Sequence, residues 1–365
     1  MTGSRYRSID IIKGVAICMI LLVHSRQGIN GLSHIWDLFM FGQMGCQLFF
    51  VISGVTAVLS MEQTSTKKEF LIKRWTGIVP GYYIVMFITH FLNYIMGKKG
   101  LGLGFAGNND IVSVFCNLFL LHGWLPFCNN NVMAGGWFVG TIVILYFLAP
   151  FLYALMKKMK RPWVVLPISF GINMAIAVLL CMSNKNGEYI KNNSFYYFSF
   201  ITQLPCFLLG MYWQIKKRRE EKTKINFVIT TVGLLFSLAG ALMLFFGEYP
   251  VWPIWLISYK YIICCTVTGI VCVELLRLLN CFCVRCKLLE CMGKRSYYIY
   301  LIHAFWVWTL PRYLRTSMQP DLLYCCMLPI IFIGTYLNAG VLEKMCRPIE
   351  QKIKMLCLMN KRKVV

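Results

Sequence analysis

Acidic residues are scarce in this chain, and charge of either sign is rare. Its 365 residues include 14 Asp and Glu against 37 Lys and Arg, and charged residues make up only 14% of the total. Apolar residues make up 58%, and the mean hydropathy is +0.62. This composition excludes an ordinary soluble domain, because such a domain needs far more polar surface.

Short alternating segments split by turns are also lacking, which excludes a transmembrane β-barrel. The apolar residues instead form runs of roughly 17 to 25, long enough for a helix to cross a hydrocarbon core of about 30 Å. We therefore expect an all-α, polytopic membrane protein of about ten transmembrane helices. The expected spans lie near residues 8–25, 36–61, 75–96, 133–156, 163–183, 195–215, 225–247, 252–276, 297–311 and 322–343.

The basic residues cluster on one side of these spans. With a cytoplasmic N-terminus, 28 of the 37 Lys and Arg fall in inward segments and 7 in outward ones. This positive-inside pattern predicts cytoplasmic N- and C-termini, and it assigns the net charge of +23 to topology and anionic lipid rather than nucleic acid. An anionic cytosolic substrate would be attracted by the same charge. We divide the chain into a membrane domain, residues 1–345, and a basic cytoplasmic tail, residues 346–365.

A cleavable signal peptide and paired metal-binding cysteines are not evident. Val23-His24-Ser25 is a poor cleavage site, so we expect the first span to stay in the protein. Cys281, Cys283, Cys286 and Cys291 share one loop but lack a C-x-x-C at each end and a nearby His. We therefore expect no metal site.

The first span carries three polar side chains on one helical face. Asp10 lies three residues before Lys13 and His24 lies 11 after it, so an α-helix places Lys13 and His24 roughly 16 Å apart on nearly the same stripe. The expected topology puts Lys13 near the cytosol and His24 near the outer surface. Each residue alone also has a structural explanation: Lys13 snorkelling, Asp10 stabilising the helix N-terminus, and His24 lying at the interface.

Further polar candidates stand at the ends of later spans. Ser53 and Gly54 are the two small residues at the end of the run 47–54, and they permit close helix packing. Lys73 and Arg74 lie where the third span begins, and an arginine there suits phosphate better than simple anchoring requires. His303 falls inside the ninth span, which indicates either a functional role or a hydrogen-bonded structural one.

The longest outward connection is residues 97–131, rich in Gly and Asn. Its apolar piece, 111–125, is too short to span and is expected to be a re-entrant or surface helix. This piece carries His122 and Trp124. Long ordered loops often act as lids or binding loops, so the connection is a candidate lid or acceptor region, although it could equally be a plain cap.

Taken in order, these residues resemble the acyltransferase 3 family of membrane acyltransferases. The resemblance is carried by Asp10-x-x-Lys13-Gly14 with His24, by Leu48 to Gly54, by Arg74 with Ile78-x-Pro80-x-Tyr82, by Trp137 with Tyr146 and Pro150, and by Ser296 to His303. It implies a multi-pass protein of the bacterial cytoplasmic membrane that moves an acyl group, usually acetyl from acetyl-CoA, to a sugar hydroxyl. The acceptor would be an envelope or exopolysaccharide glycan or a glycolipid.

Two positions depart from the family pattern. Gly77 stands where the family commonly has a second Arg, and 138–142 lacks the Glu that often follows the matched Trp. Phosphate contacts from Lys73 or loop lysines would then replace the missing Arg.

The resemblance implies a mechanism that runs along the first span. The CoA phosphates would dock at the cytosolic face against Lys73, Arg74 and Lys13, near Ser53. The pantetheine arm would run outward to His24, which would act as general base on the acceptor hydroxyl, while Asp10 holds Lys13. A covalent acyl-His24 intermediate stays open as a variant. Residues expected on the acceptor side or in support are His122, Trp124, Trp137, Tyr146 and His303.

The expected partners are thus an acyl-CoA as donor substrate, the glycan or glycolipid acceptor and the lipid bilayer, with no nucleic acid and no bound cofactor. The competing hypothesis is a transporter or flippase of a small solute or lipid-linked sugar. Its path would use Lys13, His24, Lys260 and His303 inside the membrane. The sequence contains no evident inverted repeat to support this alternative.

Overall fold

Helices make up all the regular structure in the described part of the chain. The computed structural model describes residues 2–98, 111–125, 128, 132–183, 195–219, 227–247, 254–314 and 318–359. The α-helices within these ranges are α1 Thr2–Gln27, α2 Gly45–Gln63, α3 Lys67–Thr76, α4 Val79–Lys98, α5 Ile111–Leu118, α6 Gly136–Lys158, α7 Val165–Ser183, α8 Phe195–Phe198, α9 Phe200–Arg219, α10 Phe227–Phe246, α11 Ile254–Cys281, α12 Lys287–Lys294, α13 Ser296–Tyr313 and α14 Pro320–Met359. Shorter 3₁₀ segments cover His34–Met44, Leu121–Gly123 and Pro162–Val164. The all-α prediction is confirmed.

Seven helical stretches of the described residues are long and apolar enough to cross a membrane. They are Arg7–Gln27, His34–Gln63, Lys67–Leu92, Gly136–Lys158, Val228–Phe246, Ile262–Cys281 and Pro320–Cys357. These stretches make the chain an integral membrane protein. Helices α7, α9 and α13 occupy the three other expected positions. The count of ten spans and the orientation of the termini stay predictions.

Helix α2 lies at the centre of the bundle and packs on α9 through glycines. A Cβ atom at Gly54 would lie 2.0 Å from the carbonyl oxygen of Phe207, and one at Gly210 would lie 1.9 Å from that of Val51. Only glycine fits such an approach of two backbones, the arrangement that small residues permit in membrane helices. The contact fixes the position of Ser53, which precedes Gly54.

The short helix α12 is held against the beginning of α1 in the same way. A Cβ atom at Gly293 would lie 1.8 Å from the carbonyl oxygen of Asp10, and one at Gly14 would lie 2.2 Å from that of Leu289. Since Gly14 directly follows the Asp10–Lys13 turn and Gly293 faces it from α12, α12 is fixed beside this turn. Its last residue, Lys294, is thereby placed near Lys13.

Hydrogen bonds fix the start of helix α3, and this start determines where its two cationic residues, Lys73 and Arg74, fall. The Thr66 hydroxyl accepts a hydrogen bond from the Glu69 N–H at 3.2 Å, and the Glu69 carboxylate accepts one from the Ser65 N–H at 3.0 Å. Thr66 is thus the N-cap, and the Glu69 carboxylate reaches back to the residue before it, a variant of the capping box. Lys73 and Arg74 fall in the last turn, where the helix dipole favours positive charge.

Polar contacts join the C-terminal half of helix α14 to the beginning of α13 and to Arg295, which directly precedes α13. Arg295 Nε lies 3.2 Å from Glu343 Oε2, and the Tyr298 hydroxyl donates to Glu350 Oε1 at 2.7 Å. Residues 346–359 of the expected basic tail continue this helix. The final turns of α14 therefore pack on the membrane domain.

Candidate active site

A cavity of about 250 Å³ gathers cations from three helices. Lys13 comes from α1, Lys73 and Arg74 from α3, and Lys294 from α12. Ser53 of α2 also lines it, so all four donor-side candidates of the sequence meet at one site. We call it the cationic cavity.

The described lining of the cationic cavity contains no carboxylate. Asp10 Oδ1 lies 4.0 Å from Lys13 Nζ, and Glu69 Oε1 lies 3.1 Å from Lys73 Nζ, each outside the lining. Two carboxylates therefore face four cations, and the cavity keeps an excess of positive charge. Such a site attracts anions.

Arg74 is held in place by the protein itself. Its guanidinium donates to the backbone oxygen of Thr56 and, at 3.4 Å, to the Thr56 hydroxyl. The same group lies over the ring of Tyr146, 5.0 Å from its centroid, and over that of Phe70 at 5.6 Å. Cation–π contacts of this kind hold a guanidinium in one orientation. The N–H donors that Arg74 does not use for Thr56 therefore point in fixed directions.

Tyr300 connects the cationic cavity to a pair of histidines. Its side chain lines the cavity, and its hydroxyl donates to the backbone oxygen of Gly135 at 2.9 Å. The Tyr300 and His303 ring centroids lie 5.3 Å apart, and those of His303 and His24 lie 5.0 Å apart with the planes tilted by 32°. The three rings form a continuous series from the cavity to the C-terminal part of α1.

The hydrogen bond of His24 matches the tautomer that base chemistry needs. Its Nδ1 lies 2.9 Å from the side-chain oxygen of Gln27, which can only accept. An Nδ1–H that donates to this oxygen leaves Nε2 with the lone pair that a general base needs. His303 is oriented as well, because its Nδ1 is hydrogen-bonded to the backbone oxygen of Tyr300.

Comparison with known protein families identifies the family of the chain. The model of the acyltransferase domain of the acyltransferase 3 family matches residues 6–342 of the 365. The chain belongs to the acyltransferase 3 family. The resemblance seen in the sequence is confirmed, and the chain is a membrane protein of an acyltransferase family. No curated protein and no solved structure matches it.

Two further candidates of this acyltransferase 3 family member are placed inside the bundle. Tyr146, expected on the acceptor side or in support, lies in the cationic cavity under Arg74. Trp137 is buried and stacks on Phe198, with ring centroids 4.9 Å apart. It packs in the core around α6, so its position suits support of the site rather than contact with an acceptor.

The piece 111–125, expected to face outward, contains the expected short helix, α5, but its two candidates differ in exposure. His122 is fully buried, its Nε2 lies 3.0 Å from the backbone oxygen of Gly136, and its ring stacks on Tyr82. Burial lowers the pKa of His122 to about 4. Trp124 is 47% exposed. Of this pair, only Trp124 offers surface to an acceptor.

Sequence reasoning did not single out Lys294 or Tyr300 as site candidates, although both line the cationic cavity and Tyr300 lies in the motif Ser296 to His303. Lys294 belongs to a basic connection that was expected to face inward, and it has no local pattern that separates it from its neighbours. Tyr300 stands three residues before His303, a spacing that places both on one helical face, so its signal was present. The side chain of Lys260, expected on the path of a transporter, lies outside the described part of the chain.

Proposed function

We propose that this protein transfers an acetyl group from cytosolic acetyl-CoA to a hydroxyl of an envelope or exopolysaccharide glycan or glycolipid. One observation carries the proposal: the cationic cavity is joined through Tyr300 and His303 to His24. A donor with an anionic end and a slender thioester arm matches a site with cations at one end and a base at the other.

The donor phosphates would bind Arg74, Lys73 and Lys13. Arg74 offers directed N–H donors suited to phosphate oxygens, and the lysines add positive charge. Asp10 keeps Lys13 near the cavity through its ion pair. With the phosphates there, the pantetheine arm extends past Tyr300 toward His303 and His24.

His24 would act as the general base. Its Nε2 takes the proton of the acceptor hydroxyl while the hydroxyl oxygen forms a bond to the thioester carbonyl carbon. The carbon–sulfur bond then breaks, and the CoA sulfur leaves with the proton from His24. General acid–base catalysis of this kind contributes about 10²–10⁴-fold. The covalent variant would place the acetyl group on His24 before transfer.

Release of CoA thiol by the purified protein in lipid nanodiscs tests the proposal. Labelled acetyl-CoA is incubated with a glycan and glycolipid extract, and both free thiol and label in the extract are measured. We expect both to depend on protein, and the double variant Lys13→Ala/Arg74→Ala to lose them. Solute accumulation in vesicles without thiol release or label transfer would instead support the transporter and overturn the proposal.

A further inference from the structure

A second cavity, of about 300 Å³, adjoins the cationic cavity. The two share Arg74, Ile78 and Tyr146 in their walls. The second cavity extends from these residues to Trp75, Phe147, Ile353 and Cys357. We call it the apolar cavity, because Arg74, at its boundary, is the only charged residue in its described lining.

The last turns of α14 form one wall of the apolar cavity. Ile353 and Cys357 are four residues apart and so lie on one face of the helix. The hydrogen bond from Tyr298 to Glu350 fixes α14 one turn before Ile353. The wall is therefore set by a specific contact between two helices.

The lining of the apolar cavity selects a flat, weakly polar ligand group. A charged or strongly hydrated group would lose its hydration there without polar partners. An aromatic ring would bury apolar area against Trp75 and Tyr146 and lie beside the Arg74 guanidinium. The volume reaches the lower end of small-molecule sites, roughly 300–1,000 Å³.

We propose that the apolar cavity binds the adenine ring of the acyl-CoA donor, an inference that rests on the proposed function. In CoA the phosphates lie between the base and the pantetheine arm. In the protein the cations lie between the apolar cavity and Tyr300, in the same order. The two cavities together thus match the donor from base to thioester.

This assignment has a consequence for donor choice. A thioester of 4′-phosphopantetheine, as on a carrier protein, has a phosphate and the arm but no adenine. The apolar cavity therefore favours a nucleotide-bearing donor over a carrier-bound one. The residues that discriminate between the two kinds of donor lie in α3, α6 and the end of α14, away from the histidines.

Filling the apolar cavity tests the inference with two donors. Ile353→Trp should raise the KM for acetyl-CoA at least about tenfold, the effect of losing one well-buried contact of about 1.4 kcal/mol. The KM for S-acetyl-4′-phosphopantetheine should stay unchanged. Ile349→Trp is the matched control: it lies one turn earlier on α14, is 43% exposed and lines neither cavity. It should leave both KM values unchanged.

A labelling experiment on the wild-type protein gives a second, independent measurement. Cys357 is exposed at the cavity wall. Its alkylation by a maleimide, followed by peptide mass spectrometry, should slow in adenosine 3′,5′-bisphosphate, while Cys325 in the outer part of α14 reacts as before. Because this measurement uses the wild-type protein, it tests the inference even if Ile353→Trp fails to fold.

The outcomes separate the two proposals. Unchanged KM values in a folded Ile353→Trp protein, or equal rises for both donors, would overturn the adenine assignment and leave the acyltransferase intact. Unprotected Cys357 would also overturn it. If wild-type protein consumes neither donor, the proposed function fails, and the labelling result then decides whether the apolar cavity binds a nucleotide at all.

Discussion

The imidazole rings of His24 and His303 lie with their centroids 5.0 Å apart, although the residues belong to helices near opposite ends of the chain. His303 is buried and stands between His24 and Tyr300, which lines the cationic cavity. His24 is therefore not an isolated interfacial histidine. Its neighbour gives it a fixed position relative to the site proposed to bind the donor.

The first prediction concerns His303 as a positioning residue. His303→Ala should lower kcat by about 10²-fold, the effect of a misplacement of about 1 Å at a reacting group. The KM for acetyl-CoA should change little, because the cations lie elsewhere. His303→Gln, which can keep a hydrogen bond to the Tyr300 carbonyl, should recover part of the rate. Equal kcat in His303→Ala and wild type would contradict this role.

Lys294 should differ in its effect from Lys287, the other basic residue of α12. Lys294→Ala should raise the KM for acetyl-CoA roughly 1.4- to 5-fold with kcat unchanged, since an exposed charge contributes about 0.2–1 kcal/mol. Lys294→Arg should keep the wild-type value. Lys287→Ala, at the other end of α12 and outside the cavity lining, serves as the control. An equal effect of both alanine variants would show a general surface potential instead.

Gly77 provides a gain-of-function prediction. A Cβ atom there would meet only the carbonyl oxygens of Lys73 at 3.5 Å and Arg74 at 3.7 Å, which are ordinary contacts. Gly77→Arg should therefore fold and add a guanidinium to the cationic cavity, lowering the KM for acetyl-CoA. The steady-state KM of Gly77→Arg is compared with that of Gly77→Ala, and the difference measures the effect of the added charge alone. A higher KM in the folded arginine variant would show that the position does not face the donor.

The glycine contact between α2 and α9 predicts a stability effect. Gly54→Ala should lower the stability by about 1–3 kcal/mol, because its Cβ would lie 2.0 Å from the Phe207 carbonyl oxygen. Gly171→Ala, in α7, is the control, since nothing lies within 4 Å of its added Cβ. Thermal unfolding in detergent should show a lower Tm for Gly54→Ala only. A Tm equal to wild type would mean that the two backbones lie farther apart.

Much of the helical organisation could be predicted because long apolar runs determine membrane helices locally. The stripe Asp10–Lys13–His24 follows from helical spacing alone, and the grouping of Lys13, Ser53 and Arg74 followed from the family resemblance. These features depend on residues close in sequence or on a shared pattern.

The other features of the site depend on contacts between helices that are distant in the sequence. Lys294 reaches the cationic cavity only because Gly293 lets α12 approach the backbone of Asp10. His24 and His303 meet through the packing of α13 on α1, which no local periodicity describes. His122 proved to be buried because Gly140 of α6 leaves room for its ring, a property of the assembled bundle.

The central claim is that His24 acts as the general base in the transfer of an acyl group delivered from the cationic cavity. The most direct test measures labelled acetyl transfer to glycan by His24→Ala protein in nanodiscs, with acetyl-CoA affinity measured in parallel. The account predicts a rate lower by about 10²–10⁴-fold with unchanged affinity, because the base is lost and the phosphate site remains. A wild-type rate of transfer in a correctly inserted His24→Ala protein would contradict it.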